Sequence, residues 1–288
     1  MTEQTDGKKR VVLDSQILTS IQNCHELTNL TFLQNWRPNE TPEPFEKGDL
    51  GHTILQHYYT VMQIEQDTGA KVDRLQLIRD SIELARAKSI DMSMPDSEVD
   101  RVLNIYRGYF EHYQNDYFRI ISVERPFTKL LYSDNELEIY YEGIIDLVYE
   151  SAITKLTVMD HKTKGKQYSH IERDNQFIGY AWAFDTNWVI INGIGLQLKA
   201  KFEERYKRQV LSISDVLKEQ WKKNAIRSVK LFIEDMESNE YHMNIAHCKT
   251  WGGCIHRETC NATDPEVKRN ILMRMFYQGV PWSPYTRG

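Results

Sequence analysis

The sequence predicts an α/β domain carrying a helical insertion, on three observations. Apolar residues recur at helical spacing in segments between residues 12 and 117. From Tyr117 the period switches to two. No internal repeat or low-complexity stretch interrupts the 288 residues, and at 41% hydrophobic and 27% charged they support a packed core and exclude global disorder.

The elements are expected in this order. Residues 1–12 are largely polar and read as a solvated, disordered tail. Leu13, Ile17, Ile21 and Cys24 share a helical face in a segment running to about Asn35. Arg37 to Lys47, with Pro38, Pro42 and Pro44, is a breaker-rich loop. A helix opens near Gly48 and continues through His52, Leu55, Tyr59 and Met62. Val72–Lys88 and Glu98–Tyr117 are the next helices. The second carries Val102, Tyr106, Phe110, Tyr113 and Tyr117, a stripe able to stack on bases but expected, from its unbroken helical period, to be core.

Strands are expected at Tyr117–Glu124, Leu137–Tyr149 and Leu156–Lys162, the last two joined by a turn around Ser151 and Thr154. A helix at Glu172–Phe184, a β-branched run at Trp188–Leu198 and a strand near Gln209–Ile213 follow. Ser214 suits the N-cap of a long helix through Leu217, Trp221, Val229 and Phe232. The expected organisation is one domain over 13–264. It comprises a helical part at 48–117, a core at 118–213, and a long helix with a cysteine cluster at 214–264. A short helix and tail close the chain at 265–288.

A net charge of −5 and a pI near 6.0 argue against coating nucleic acid through bulk charge, yet leave room for a local basic groove. No apolar run reaches the roughly 18 to 20 residues of a membrane span, and the polar N-terminus lacks the apolar stretch of a signal peptide. Four cysteines are too few for a disulfide scaffold. Together these point to a cytoplasmic protein with reduced thiols and no membrane partner.

The chemistry-bearing residues cluster around two strands. Asp146 lies in Glu142-Gly143-Ile144-Ile145-Asp146, and Asp160-His161-Lys162 closes the next strand. Alternation puts Asp160 and Lys162 on one face, where a hairpin would bring Asp146 beside them. Two carboxylates so placed can hold Mg²⁺ or Mn²⁺, and a lysine there can stabilise charge growing on a phosphate. An edge-strand ion pair is the plainer reading of an isolated Asp-x-Lys. Gln176 and Tyr180, four apart, share a helix face, and His52 near a helix start could complete an oxygen-rich metal site. Lys164 and Lys166 follow the active strand, where a DNA-binding role is expected. A second basic run holds Lys199, Lys201, Arg205, Lys207 and Arg208, interrupted by Glu203 and Glu204. For Cys24, Cys248, Cys254 and Cys260, buried thiols, zinc and an iron–sulfur cluster all stay open on the residues alone.

The order of these pieces resembles a known family. An early cysteine, Gly48-x-x-x-His52, Gly143-x-x-Asp146, Asp160-x-Lys162, Gln176-x-x-x-Tyr180 and three late cysteines, over about Leu13 to Cys260, resemble the RecB-like branch of the PD-(D/E)XK nuclease superfamily. Compact iron–sulfur nucleases of the phage and CRISPR-adaptation type look most similar. The resemblance implies a restriction-endonuclease-like central mixed sheet flanked by helices, with an iron–sulfur staple joining the N- and C-terminal regions. It implies Mg²⁺ or Mn²⁺ on His52, Asp146, Asp160 and the backbone carbonyl of His161. Lys162 would be the catalytic lysine, with Gln176 and Tyr180 positioning it and the DNA. Glu124 resembles an acidic position preceding the core strands and reads as structural. All four cysteines would hold a [4Fe–4S] cluster, although the late spacing here is x5 then x5 where the family usually has x2 then x5.

The activity so implied is a metal-dependent DNA exonuclease, processing single-stranded or free DNA ends in recombination, repair or phage DNA metabolism. An endonuclease, or an end-trimming adaptation-type nuclease working with partners, is the alternative among enzymes. A non-catalytic iron–sulfur DNA-binding subunit is the alternative from another class.

Overall fold

The computed structural model describes residues 2–5, 7–39, 43–151, 156–164, 171–197, 199–249 and 253–285. In chain order the elements begin with β1 (Thr2–Thr5), β2 (Lys8–Leu13), α1 (Ser15–Asn23), α2 (His25–Thr28) and β3 (Trp36–Pro38). Next come α3 (Glu43–Thr68), α4 (Arg74–Lys88), α5 (Asp96–His112), β4 (Arg119–Ser133), β5 (Leu137–Glu150) and β6 (Thr157–Lys164). They continue with α6 (Asn175–Ala183), β7 (Trp188–Gly195), α7 (Phe202–Arg205), β8 (Tyr206–Ser212) and α8 (Asp215–Ser238). The chain ends with α9 (Arg257–Asn261), α10 (Pro265–Met275) and β9 (Phe276–Gln278). No helix among the described residues is long and apolar enough to cross a membrane. The fold is mixed α/β, a central mixed sheet flanked by helices.

By its internal contacts the chain divides into two compact units. The first comprises Met1–Glu40, Phe127–Gly143 and Val216–Gly288. Here β1 and β2 form an antiparallel hairpin about Gly7, whose φ of +82° suits glycine. β2 then runs parallel to β5, from Lys9 opposite Leu137 to Leu13 opposite Tyr141. This corrects the expected disordered tail. Val11 and Leu13 alternate into the core, and main-chain pairing orders the polar residues around them. The helix expected from Val12 to Asn35 is also shorter. Asp14 caps α1 by accepting from the Gln16 and Ile17 amides, and Cys24 turns extended before α2. β3 pairs with β9, and Leu30, Leu272 and Phe276 close a small core. The two chain ends therefore meet in one unit through ordinary packing.

The second unit comprises Thr41–Pro126 and Ile144–Asp215. The β5–β6 pair is antiparallel, β6–β7 parallel and β7–β8 antiparallel, which makes the sheet mixed. Leu147, Tyr149 and Met159 join a core with Leu50, Ile54, Tyr59, Val102, Tyr106 and Tyr109 of α3 and α5. The aromatic stripe of α5 is thus core as expected, but the helix ends at His112 and Tyr117 beyond it is 98% exposed. Proline does not delay α3, which starts at Glu43 rather than near Gly48, because the first turn of a helix tolerates it. Asp174 caps α6, so that helix begins at Asn175 rather than Glu172. Thr154 of the expected turn and Leu198 of the β-branched run lie outside the described residues.

Candidate active site

Close packing of α3 sets the first half of the site. A Cβ on Gly51 would lie 1.9 Å from the Tyr106 hydroxyl and 2.7 Å from Thr163 Oγ1, atoms themselves hydrogen-bonded at 2.6 Å. Glycine lets the helix backbone approach that pair, and the next residue, His52, comes up to Asp146. His52 Nδ1 lies 3.5 Å from Asp146 Oδ1 and 4.0 Å from Glu124 Oε1. These three residues offer ligand atoms all within 4.8 Å of one another. Glu124 reaches them from a left-handed backbone conformation, φ +45°, in mid-strand, and such strain gathers at functional sites.

The second half comes from β6 and α6. Lys162 Nζ pairs with Asp160 Oδ2 at 2.7 Å, with Asp160 2% and Lys162 23% exposed. Gln176 Nε2 donates to Asp160 Oδ1 at 3.1 Å and to the Tyr180 hydroxyl at 2.9 Å. Tyr180 donates in turn to the Ile144 carbonyl at 2.9 Å, two residues before Asp146. A single chain of bonds therefore ties Asp160 to the strand that carries Asp146. The His161 N–H donates to Asp146 Oδ2 at 2.7 Å, while burial lowers the pKa of the His161 ring from its ordinary 6.5 to about 3 and keeps it neutral.

The structure brings His52, Asp146, Asp160, Lys162, Gln176 and Tyr180 into one neighbourhood of the second unit. Asp160 stands outside the 4.8 Å donor group, and Glu124, read from sequence as structural, stands inside it. The acid before Arg125-Pro126 was visible in the sequence; the left-handed turn that aims it was not. The donor set is one imidazole and two carboxylates, which suits Mg²⁺ or Mn²⁺. Two carboxylates this close repel one another, and a divalent cation would relieve that repulsion.

Other expectations are placed as follows. The Lys164 side chain and all of Lys166 lie outside the described residues. Lys199, Lys201 and Lys207 are exposed. Arg208 is committed to the interior, paired with Asp116 at 2.5 Å and 18% exposed, so it does not belong to a phosphate-binding run. All four cysteines lie in the first unit as free thiols, Cys24 buried and the others half-buried. Cys24 Sγ donates to the His242 carbonyl at 3.8 Å and accepts from the Asn244 amide at 3.5 Å. Burial raises the pKa of Cys254, with Cys248 and Cys24 adding to it, and pushes Cys260 up to about 11, with Cys254 and Cys24 contributing. The four thiols thus share one electrostatic neighbourhood, yet no three sulfurs among the described residues lie within 4.8 Å of one another.

Comparison with known proteins bears on this arrangement. No curated protein is significantly similar in sequence. Solved structures show a remote likeness, among them these three. A candidate exonuclease from Eubacterium rectale matches at 9% identity and TM-score 0.48, over 88% of this chain and 94% of that one. The alkaline exonuclease LHK-Exo from Laribacter hongkongensis matches at 10% identity and TM-score 0.32, over 69% and 96%. The protein SSO0001 matches at 13% identity and TM-score 0.33, over 65% and 84%. The family model for the PD-(D/E)XK nuclease superfamily matches residues 24–261. That match takes in both halves of the site and most of the chain, and this chain belongs to the PD-(D/E)XK nuclease superfamily.

Proposed function

We propose that this protein is a divalent-metal-dependent DNA exonuclease that hydrolyses phosphodiester bonds at single-stranded or free DNA ends. Its setting would be recombination, repair or phage DNA metabolism in the cytoplasm of a prokaryotic or phage-infected cell. One observation carries the reading: His52, Glu124 and Asp146 converge within 4.8 Å, in the same unit as the 2.7 Å Lys162–Asp160 pair.

His52, Glu124, Asp146, Asp160 and the His161 carbonyl would hold the metal. Such an ion supplies positive charge against the phosphodiester and activates water at neutral pH. Lys162 carries a cationic head at the same carboxylate, poised to stabilise negative charge on the phosphate. Gln176 fixes the orientation of Asp160 while Tyr180 anchors Gln176 to the Ile144 carbonyl, so the acid and the lysine it holds are preorganised. Lys164 and Lys166 would add phosphate contacts.

In the first unit we propose a [4Fe–4S] cluster on Cys24, Cys248, Cys254 and Cys260. Zinc bonded to sulfur at about 2.3 Å would draw four thiolates to within about 4 Å of each other. No three of the sulfurs among the described residues lie within 4.8 Å of one another, so the order of the four cysteines in the sequence carries the cluster assignment.

Incubation with end-labelled single- and double-stranded DNA, linear and circular, with Mg²⁺, Mn²⁺ or EDTA, tests the activity. Metal-dependent loss of linear DNA alone is the expected result. Cutting of circles would replace it by the endonuclease reading, and binding without cleavage by the non-catalytic one.

A further inference from the structure

We propose that Asn192, held by Arg208, is a positioning residue that acts on Asp146 through His161. The inference rests on the nuclease reading above.

In the parallel β6–β7 pair, His161 lies opposite Asn192. Alternation turns Asp160 and Lys162 to one face and His161 to the other. On that other face an aliphatic side chain would satisfy the core, yet a polar network is built there instead. Asn192 is fully buried. Its Nδ2 donates to His161 Nδ1 at 2.8 Å and to the Tyr109 hydroxyl at 3.0 Å. Its Oδ1 accepts from Arg208 Nε at 3.3 Å.

Arg208 cannot turn away. It pairs with Asp116 at 2.5 Å, donates to the Tyr109 hydroxyl at 3.2 Å and lies 3.8 Å over the Tyr113 ring. With two donors already on its oxygen, Tyr109 gives its own proton to the Tyr59 hydroxyl at 2.8 Å. Tyr59 stacks on the His161 ring, 5.6 Å between centroids and 8° between planes. It comes from α3, two turns after His52.

Every hydrogen-bonding group of the Asn192 amide is therefore used, and only one orientation fits. Because Nδ2 donates, His161 Nδ1 accepts and the ring proton sits on Nε2. The ring is gripped by Asn192 along its edge and by Tyr59 on its face. A ring so held fixes its own main chain, whose N–H meets Asp146 Oδ2 at 2.7 Å. Buried polar groups cost desolvation that apolar packing avoids; the return here is orientation of one catalytic carboxylate from behind the sheet.

The test uses full-length N192L and N192D with histidine-selective ¹⁵N labelling, Mn²⁺ titration without DNA, and steady-state cleavage. N192L removes both donors and is expected to lower Mn²⁺ affinity or kcat about tenfold to a hundredfold, with KM for DNA unchanged. The carboxylate in N192D only accepts, so His161 must move its proton to Nδ1 to keep the bond. That swap is read directly in the His161 ¹⁵N resonances, with Mn²⁺ affinity and kcat within a few-fold of the parent. A parent protein with the proton on Nδ1 would overturn the proposal, as would a folded N192L with unchanged Mn²⁺ affinity and kcat. Should N192L fail to fold, N192D decides: the swap with retained Mn²⁺ affinity supports the proposal, and its absence or a loss of affinity overturns it. If the parent cleaves no DNA the nuclease reading fails by itself, while tautomer and Mn²⁺ binding still report on Asn192.

Discussion

The backbone N–H of His161 donates to Asp146 Oδ2 at 2.7 Å. The bond falls just beyond the Leu147–Met159 pair of the β5–β6 register, one residue away on β5 and two on β6. As the two strands part, a side chain replaces the ladder and carries the link between Gly143-x-x-Asp146 and Asp160-x-Lys162. The amide satisfies one carboxylate oxygen while the other faces His52 at 3.5 Å.

The donor group predicts a ranked loss of metal. Asp146→Asn, His52→Ala and Glu124→Gln should each weaken Mn²⁺ binding, most for Asp146, because each removes a ligand atom from the donor group. Asp160→Ala should likewise abolish cleavage without unfolding the protein. Calorimetric titration with Mn²⁺ reads the affinities. Glu124→Gln is the informative member, since unchanged affinity would return Glu124 to a structural role.

Lys162→Ala should keep Mn²⁺ binding and lose about 10²-fold or more in cleavage rate, the usual cost of removing a group aimed at developing charge. Its amine is bound to Asp160 at 2.7 Å, so the variant also frees that carboxylate. Loss of Mn²⁺ binding in parallel with activity would make the lysine structural.

What the sequence disclosed and what it hid have physical causes. His52, Asp146, Asp160, Lys162, Gln176 and Tyr180 were legible as a set because their order resembles the PD-(D/E)XK pattern, while strand and helix periods placed only Asp160 with Lys162 and Gln176 with Tyr180 on shared faces. Glu124, read from sequence as structural, stands in the donor group through a left-handed φ of +45° that no periodicity encodes. Asn192 was invisible because its function lies in hydrogen bonds to residues 31 and 83 positions away. The β1–β2 hairpin was missed because its order comes from main-chain pairing, to which polar side chains give no signal.

Gly51→Ala should destabilise the second unit by about 1–3 kcal/mol, the cost of overpacking a filled core. The added Cβ meets the Tyr106 hydroxyl at 1.9 Å and its ring carbon Cζ at 2.6 Å, and Tyr106 is fully buried with nowhere to move. Alanine's better helix propensity offsets only about 1 kcal/mol. Because the strain falls beside His52, Mn²⁺ affinity should drop with the melting temperature. A variant as stable as the parent would show that the contact is easily relieved.

Acid should destabilise the metal-free protein well above the carboxylate range. His161 keeps a pKa of about 3 when folded and an ordinary 6.5 when unfolded. Between those values the unfolded chain binds a proton that the folded chain refuses, so stability falls as pH drops from about 6.5 toward 3. Buried His256, lowered to about 4, acts in the same sense over 6.5 to 4. Urea midpoints in EDTA should decline from pH 7 to pH 4.5, and His256→Phe should flatten part of that slope. Midpoints constant over this range would contradict both assignments.

The thiols give the widest prediction. Cys24 and Cys260 lie at opposite ends of the chain yet in one unit, where Cys24 contributes to the raised pKa of Cys260. Burial holds Cys260 as a neutral thiol up to about pH 11 in the absence of a ligand, so binding must release its proton, as thiolate ligation generally does. Anaerobically purified protein should be brown, with about four irons and four labile sulfides per chain. Substituting any one of Cys24, Cys248, Cys254 or Cys260 should bleach it and lower thermal stability. The loss should be moderate rather than complete, because the β3–β9 pair and the Leu30, Leu272 and Phe276 core, against which Cys260 itself packs, also hold the chain ends together. Stoichiometric zinc in a colourless protein would require the sulfurs to close to about 4 Å and would overturn the cluster. Metal-free protein with unchanged stability in the cysteine variants would leave four inert thiols, and the nuclease reading would stand on Asp146, Asp160 and Lys162 alone.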